Sequence, residues 1–220
     1  MYVNQHFAAR DLDECNRVIE QNPLATLVMN DDGVSRAAHV PFVLHRQEGE
    51  KGTLWAHVAT RDPIARQIRD GAEAFVIFTG PRAYISPGWY ENPGLPTWNF
   101  VSVHVRGVVK FVSDRAKILE HLAELANEHE ARIGHQWSLS KASGAYVDSL
   151  LPHIRPLSVE IREITGKFRL SQNRSAGDRE GVVRGLRALD FPESTALAAA
   201  MAGYEYSHSE LRPLLDLSQK

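Results

Sequence analysis

Hydrophobic and polar residues alternate most clearly in the stretch LPTWNFVSVHVRG, residues 95–107, where three valines alternate with Ser102, His104 and Arg106. A period of two is typical of a strand with one buried and one polar face. The polar face begins with a Trp-Asn pair at 98–99 and carries an imidazole and a guanidinium. The main question that the sequence raises is therefore what this face contacts.

The same patterns predict the order of elements along the whole chain. A turn at Asp32-Gly33 predicts a hairpin, and Pro41 places its second strand at a sheet edge or a bulge. Ser113 is predicted to cap a helix that extends to about Ile133. Strands are predicted over 24–30, 35–45, 52–59, 72–80, 82–86, 97–112 and 157–164, and helices over 11–22, 62–71, 113–133, 145–154, 179–189 and 193–203.

This order of elements predicts a mainly β fold with added helices. Six or seven short strands, interrupted by single helices, are typical of an antiparallel barrel with helices outside it. The βα alternation of a doubly wound fold is absent. We expect residues 1–175 to form the barrel domain and residues 176–220 to form a C-terminal helical extension packed on it, with the last dozen residues loosely held.

Composition and charge narrow the classes of function. The 220 residues include 25 Lys and Arg against 27 Asp and Glu, so the formal net charge of −2 provides no long-range attraction to nucleic acid. Cys15 is the single cysteine, which excludes an internal disulfide and favours the cytoplasm. The N-terminus lacks the pattern of a signal peptide, and no apolar run approaches the roughly 18 residues that span a bilayer.

The segment HVATRDPIARQIR offers one candidate anion site. A strand leads through Thr60 and Arg61 into a helix start, where free backbone N–H groups can bind phosphate. Arg66 and Arg69 add positive charge on the same helix. The alternative is a surface helix with solvated arginines and Asp62 as an ordinary cap, whose carboxylate competes with any bound anion.

The polar face of the central strand is a second candidate. In a small barrel the valines fill the interior, so Ser102, His104 and Arg106 should point outward. An outward face that also carries Trp98 and Phe100 favours a ligand groove or a subunit interface. The alternative is that an outer helix covers the face and that a backbone carbonyl binds His104.

The segment GKFRLSQNRS is a third candidate because it follows a strand and is rich in hydrogen-bond donors. It could bind an anion, cap a neighbouring element or form a simple turn, and it lacks the glycine spacing of a phosphate-binding loop. Its candidate anion ligands are Lys167, Gln172, Asn173 and Arg174.

Several other chemistries are disfavoured. Metal-protease spacing, a GxSxG elbow and a GxGxxG loop are all missing, and no nucleophile–base pair is evident, so neither a metal site nor a catalytic residue is predicted. The two C-terminal helices could be drawn as a helix–turn–helix. The second of them, however, carries no Lys, Arg, Asn or Gln for contacts with DNA.

Five motifs occur together in one order: MYVNQHF, HVATRDP, FTGPRAYISPGWY, PTWNFVSVHVRG and GKFRLSQNRS. Together they resemble the PaiB family of FMN-binding negative transcriptional regulators, over roughly residues 1–187. The resemblance implies the FMN-binding split barrel, which is related to pyridoxamine-phosphate oxidases and flavin reductases. It also implies a homodimer with flavin at the subunit interface.

The resemblance further implies particular cofactor ligands. His57, Thr60 and Arg61 would bind the flavin phosphate, because they occupy the strand and turn before the short helix. The flavin ring would lie along neighbouring strands, and the outward face of the central strand would then contact the flavin or the second subunit. The residues implied for the ring are Thr79, Trp98, Asn99, Ser102 and His104.

Alternative functions remain open at this point. A haem-binding or haem-degrading split barrel could use His39, His57 or His104 as a ligand, and a DNA-binding repressor would need a surface other than the C-terminal helix pair. A flavin-dependent oxidoreductase is a further alternative, in which the redox chemistry would belong to the cofactor. The sequence favours a non-enzymatic flavin-binding regulator.

Overall fold

The computed structural model describes residues 1–206. Seven strands form one sheet in the order β2-β1-β5-β6-β7-β4-β3. The strands are β1 Leu24–Asp31, β2 Val34–Pro41, β3 Val43–His45, β4 Thr53–Ala59, β5 Glu73–Ile85, β6 Thr97–Phe111 and β7 Ile154–Arg169. The α-helices of these residues are α1 Leu12–Gln21, α2 Arg115–Arg132, α3 Gly144–Leu150, α4 Ala176–Ala188 and α5 Pro192–Ala202.

The predicted hairpin is confirmed. Strands β1 and β2 pair antiparallel, with Asn30 opposite Ser35. Asp32 and Gly33 both have positive φ, 50° and 78°, as a two-residue turn between twisted strands requires. Pro41 lies in β2, which is an edge strand, so its missing N–H removes no bond from the sheet interior.

The segment predicted as one strand over 35–45 is two strands, β2 and β3, separated only by Phe42. These two strands lie at opposite ends of the strand order. Six inter-strand steps of about 4.8 Å cover roughly 29 Å in a flat sheet, whereas one residue spans at most about 3.6 Å. The sheet must therefore curl so that its ends approach each other, which confirms the predicted barrel.

Contacts divide the chain into two units. The first contains Met1–Glu14, Thr79–Val103 and the chain from Thr165 onward, and the second contains Cys15–Phe78 and His104–Ile164. The predicted domain boundary at residue 175 directly precedes α4, and the division of the chain into a barrel domain and a C-terminal extension packed on it stays a prediction. Among residues 1–206, no helix is both long enough and apolar enough to cross a bilayer.

Several local predictions need correction. The N-cap of α2 is Asp114 and not Ser113, because the Asp114 carboxylate accepts the backbone N–H of Ala116 at 2.8 Å. The compact helix predicted over 62–71 is a five-residue 3₁₀ turn, Pro63–Gln67. The strands predicted over 72–80 and 82–86 form the single strand β5, and the strand predicted over 157–164 is part of the longer strand β7, Ile154–Arg169.

In the second unit, helix α2 packs on the outer side of β3 and β4 through imidazole side chains. His45 Nε2 lies 2.7 Å from a Glu124 carboxylate oxygen, and His57 Nδ1 lies 3.2 Å from His121 Nε2. His121 is 2% exposed, and burial lowers its pKa to about 4. Burial also lowers the pKa of His57. Both imidazoles are therefore neutral at pH 7, and a single hydrogen lies between the two facing nitrogens.

In the first unit, α4 binds the loop that follows β5. Gly177, Gly181 and Gly185 recur every fourth residue and so lie on one side of the helix. A Cβ atom at Gly181 would lie 2.0 Å from the carbonyl oxygen of Trp89, and one at Gly185 would lie 2.4 Å from the indole ring. The loop backbone therefore approaches the helix so closely that side chains larger than hydrogen cannot fit.

Hydrogen bonds to Asp178 hold the same loop against α4. Its buried carboxylate accepts the backbone N–H groups of Glu91 at 2.9 Å and Asn92 at 3.0 Å. Burial alone would raise the pKa of Asp178, but hydrogen bonds from Asn92, Glu91 and Ser175 outweigh burial and lower it. Sequence analysis missed this contact, although the spacing G-x3-G-x3-G is a visible signal for close approach.

The glycine contact predicts the sign of a stability change. An alanine inside a helix normally stabilises it by about 1 kcal/mol relative to glycine. Gly181→Ala should instead lower the free energy of unfolding by about 1–3 kcal/mol, because the new methyl group overlaps the Trp89 carbonyl. Urea denaturation measures the change. Gly144→Ala is the control, since a Cβ there meets no atom within 4 Å, and a stabilising Gly181→Ala would contradict the packing.

The buried imidazole pair predicts a pH dependence of stability. The folded protein keeps His121 neutral down to about pH 4, whereas the unfolded chain takes up that proton near its ordinary pKa of 6.5. The free energy of unfolding should therefore fall as the pH drops from 6.5 to 4, by on the order of 3 kcal/mol from this residue. Denaturant titrations across this range measure the slope.

His121→Phe should flatten that slope, because the buried position no longer titrates. His135→Phe replaces an exposed histidine and should leave the slope as in the wild type. Identical slopes for the wild type and His121→Phe would show that the pair does not control acid stability.

Candidate functional site

The outer face of the sheet in the second unit carries a groove of about 330 Å³. Its walls come from β1, β5, β6 and β7 and from no helix. Its polar and aromatic lining residues are Asn30, Glu73, Phe75, Arg106, Arg162 and Glu163. The groove is within the range of volumes that small-molecule sites occupy, about 300–1,000 Å³.

Phe75 and Arg106 of the groove lining form an aromatic and cationic cluster with His104, which lies beside the groove. The rings of Phe75 and His104 meet edge to face, with centroids 5.2 Å apart, and the Arg106 guanidinium lies 4.7 Å above the Phe75 ring. Strands β5 and β6 are neighbours, and a period of two places these side chains on the same face. The sequence analysis predicted that His104 and Arg106 point away from the valine face of β6, and the structure confirms this for both residues.

His104 is half-buried, and its Nδ1 atom is shielded from solvent without a hydrogen-bond partner among the described residues. Burial lowers the pKa of His104, and the positive charge of Arg106 lowers it further. The imidazole is therefore neutral at pH 7. A neutral imidazole with an unpaired nitrogen can bind a hydrogen-bonding group of a ligand or of a second protein chain.

Some of the cationic side chains in and around the groove have carboxylate partners, and one of them does not. Arg162 lies 3.1 Å from a Glu160 carboxylate oxygen, and Lys110 lies 3.3 Å from the other oxygen of the same carboxylate. Arg106 is exposed and forms no ion pair with any of the residues at 1–206. Its guanidinium is therefore the cation that remains available for an anionic ligand.

The residues predicted to bind a phosphate lie at and after the end of β4. His57 is directed at α2, where its Nδ1 contacts His121. The Thr60 hydroxyl contacts the Pro152 carbonyl at 3.5 Å, and Arg61 is exposed. The Asp62 carboxylate accepts the Ile64 N–H at 2.9 Å, so one backbone donor at the start of the 3₁₀ turn is already used.

The residues predicted to line the flavin ring divide between the two units. His104 belongs to the second unit, and Thr79, Trp98, Asn99 and Ser102 belong to the first. Thr79 and Trp98 are exposed, and the Trp98 ring meets Tyr84 edge to face at 6.3 Å. Ser102 is 8% exposed and so is not an open position of the outward face.

Asn99 requires a correction, because it does not share a face with Trp98. A period of two places residue 99 in phase with Val101, and Asn99 is 1% exposed. Its Nδ2 donates to the Ser171 hydroxyl at 2.8 Å, and its Oδ1 has no partner among the described residues. The Trp-Asn pair therefore marks two faces of β6 and not the start of one.

The donor-rich segment 166–175 makes contacts within the first unit. Gln172 is fully buried, and its amide bonds the backbone of Leu170 and Phe168 in the same turn. Arg174 donates to the Pro93 carbonyl at 3.2 Å, and Lys167 donates to the Tyr2 carbonyl at 3.1 Å. Asn173 is half-buried. These contacts are those of a turn and a loop anchor, and anion binding by the four candidates stays a prediction.

The three histidines considered as haem ligands have different surroundings. His39 contacts the Thr26 hydroxyl at 3.3 Å on the edge hairpin, His57 contacts His121, and His104 packs against Phe75. Within the described part of the chain, no group of three or more His, Cys, Asp or Glu side chains is placed to hold a metal ion. Sequence analysis missed His121 and Phe75, because contacts between distant strands and helices leave no local pattern.

The groove contains what a flavin mononucleotide requires. A flat ring system needs planar or aromatic surfaces, which Phe75 supplies in the lining and His104 supplies beside it. The phosphate needs a cation without a carboxylate partner, which Arg106 supplies. Glu73 and Glu163 are the acidic residues of the lining, and they limit where an anionic group can lie.

Comparisons with known proteins agree with this chemistry. Residues 1–163 match the family described as "Putative FMN-binding domain". A similar protein is the protease synthase and sporulation protein PAI 2 of Bacillus subtilis (strain 168), which is 26% identical over 201 residues. The alignment covers 91% of this chain and 96% of that protein.

Two solved structures share the fold. The FAD and heme binding protein from Mycobacterium smegmatis superposes with a TM-score of 0.57 at 18% identity, over 79% of this chain and 78% of that one. The flavocytochrome Anf3 from Azotobacter vinelandii superposes with a TM-score of 0.55 at 16% identity, over 76% of this chain and 72% of that one. At these identities the likeness establishes the split-barrel architecture alone.

The family match covers most of the chain, and the PAI 2 relative spans nearly all of it. Both agree with the resemblance that the sequence motifs indicated. The chain belongs to the family of FMN-binding domains, of the PaiB type, and FMN is the cofactor that this family assigns to it.

Proposed function

We propose that this chain is a cytoplasmic regulator that binds FMN as a homodimer, with the flavin in the groove on the outer face of the sheet. The observation that carries the proposal is the stack of Phe75, His104 and Arg106 beside that groove. In this assignment Phe75 and His104 hold the ring system, and Arg106 binds the phosphate. Thr60 and Arg61, near the end of β4, are the alternative phosphate ligands.

The surface chemistry of the groove supports a dimer. Val28, Phe75, Ile77 and Val108 are half-buried apolar side chains on strands β1, β5 and β6. Apolar surface in contact with water costs about 25 cal/mol per Å², so covering this face with a second copy is favourable. A second copy would also exclude water from the flavin and could bind the unpaired His104 nitrogen.

Bound FMN would supply the redox chemistry, which belongs to the cofactor. The role of this chain's own residues is then to bind and orient the flavin. Neutral His104 keeps a second positive charge away from the ring, and Arg106 neutralises the phosphate. No nucleophile–base pair lines the groove, which supports a binding role over hydrolytic catalysis.

FMN titration of the purified protein tests the flavin site. Arg106→Ala should weaken FMN binding roughly 10- to 100-fold, because a charge-assisted hydrogen bond to a phosphate contributes about 1.5–3 kcal/mol. Flavin fluorescence quenching measures the dissociation constant. Arg115→Ala is the matched control, since Arg115 is also exposed but pairs with Asp148, away from the groove.

The same titration separates the two phosphate assignments. If Arg61→Ala removes binding and Arg106→Ala does not, the phosphate lies near the end of β4 and the assignment to Arg106 is wrong. Sedimentation of the wild type with FMN should give a dimer. If the protein is monomeric and a monomer binds FMN as tightly as a dimer does, the flavin site is not at a subunit interface.

The regulatory part of the proposal rests on likeness to a relative that is named for protease synthesis and sporulation. We propose negative regulation without direct DNA contact by α5, because the sequence of that helix contains no Lys, Arg, Asn or Gln. Deleting the gene that encodes this protein should raise expression of a reporter fused to the upstream region of that gene. In a gel-shift experiment at low salt, the purified FMN-loaded protein should not bind the same DNA. If expression of the reporter does not change, the protein does not regulate this gene. If the protein shifts the DNA in a salt-sensitive way, it binds the DNA directly.

A further inference from the structure

The first unit contains a second groove, of about 380 Å³, between α4 and the segment that ends α5 and follows it. It lies outside residues 1–163, the part of the chain that matches the FMN-binding family. Its charged and aromatic lining consists of Arg179, Glu180, Arg184 and Arg187 of α4, with Tyr204 and Tyr206 after α5.

One wall of this groove is held in place by its own contacts. The Tyr206 hydroxyl donates to the carbonyl of Leu170 at 3.0 Å or of Met201 at 3.2 Å. The Arg179 guanidinium lies 4.1 Å above the Tyr206 ring, and its Nη1 donates to the Arg174 carbonyl at 2.6 Å. A wall with fixed side chains loses little conformational entropy when a ligand binds.

The aromatic side of the groove is a pair of tyrosines. The rings of Tyr204 and Tyr206 meet edge to face, with centroids 5.0 Å apart. Arg10 approaches the Tyr204 ring at 5.0 Å. This pair gives the groove a surface against which a planar ring can pack.

Positive charge in this groove lacks compensation. Arg184 and Arg187 are three residues apart on α4, so they lie on one side of the helix, and both are exposed. Neither forms an ion pair with a residue described by the structure, whereas Arg46, Arg69 and Arg115 each bind a carboxylate. Glu180 is the one acidic residue of the lining, against three guanidinium groups.

We propose that this groove binds a phosphomonoester attached to a planar aromatic ring, the chemistry of a nucleoside monophosphate. A phosphomonoester carries a charge of about −1.5 to −2 at pH 7, which matches the excess positive charge of the lining. Guanidinium groups bind phosphate oxygens through paired N–H donors, and the tyrosines receive the ring. FMN has the same two chemical groups, so this second site is distinguished from the cofactor site by its position, which lies beyond the residues of the FMN-binding family match.

Calorimetric titration of the full-length protein, loaded with one equivalent of FMN per chain and freed of excess FMN, tests this proposal. The probes are AMP, adenosine and inorganic phosphate. AMP should bind most tightly of the three, because only AMP offers both the phosphate and the ring. The double variant Arg184→Gln/Arg187→Gln should weaken AMP binding at least tenfold, and Arg115→Gln should leave it unchanged.

A second variant separates the two halves of the site. Tyr204→Leu should weaken AMP binding and leave phosphate binding as in the wild type, since it removes an aromatic surface and no charge. Thermal melts by circular dichroism establish that the variants fold. Both arginines are exposed, so their replacement should leave the melting temperature within a few degrees.

Three outcomes would overturn the proposal. The first is that AMP does not bind the wild type, or binds the double variant equally well. The second is that the double variant loses FMN binding, which would assign the arginines to the cofactor. The third is salt-sensitive binding of single-stranded oligonucleotides without binding of AMP, which would assign them to nucleic acid.

Discussion

The single residue between β2 and β3 is the constraint on which the barrel depends. Phe42 is 2% exposed, packs against Phe78 with ring centroids 5.9 Å apart, and joins strands from opposite ends of the strand order. Because one residue cannot cross a flat sheet of this width, the sheet must curl. Curling buries the valine face of β6 at the inside of the sheet, and the other face of the sheet is where helix α2 packs and where the groove lies.

That outer surface is used in two physically different ways within the second unit. Over β3 and β4, helix α2 covers it, and His45, His57 and His121 make the polar contacts. Over β1, β5 and β6, half-buried apolar side chains and an unpaired guanidinium border a groove that no helix lines. The covered face contributes stability. The uncovered face exposes apolar surface together with the Arg106 guanidinium, which has no ion-pair partner among residues 1–206, and this is the chemistry on which the flavin and dimer proposals rest.

In the first unit, the main feature is the close contact between helix α4 and the backbone of the loop that follows β5. Three glycines of α4 admit the loop that contains Trp89, and the buried Asp178 carboxylate holds its backbone N–H groups. Arg184 and Arg187 of the same helix stay exposed. The FMN proposal and the nucleotide proposal therefore involve different elements, and each can fail without the other.

The sequence by itself determined the features that depend on local periodicity and turn chemistry. Patterns within short segments were sufficient to predict the hairpin at Asp32-Gly33, the buried valines of β6, the antiparallel barrel and the family.

The predictions from sequence were wrong where a local pattern is ambiguous. Asn99 is polar but lies in phase with Val101 on the buried side of β6. Pro41 predicted a sheet edge or a bulge, but it did not indicate that the strand breaks directly after it, at Phe42. Only the tertiary structure decided that His57 meets His121 and that Phe75 meets His104, since each pair brings together residues that are distant in the chain. Contacts of that kind depend on how strands and helices pack, which no local pattern records.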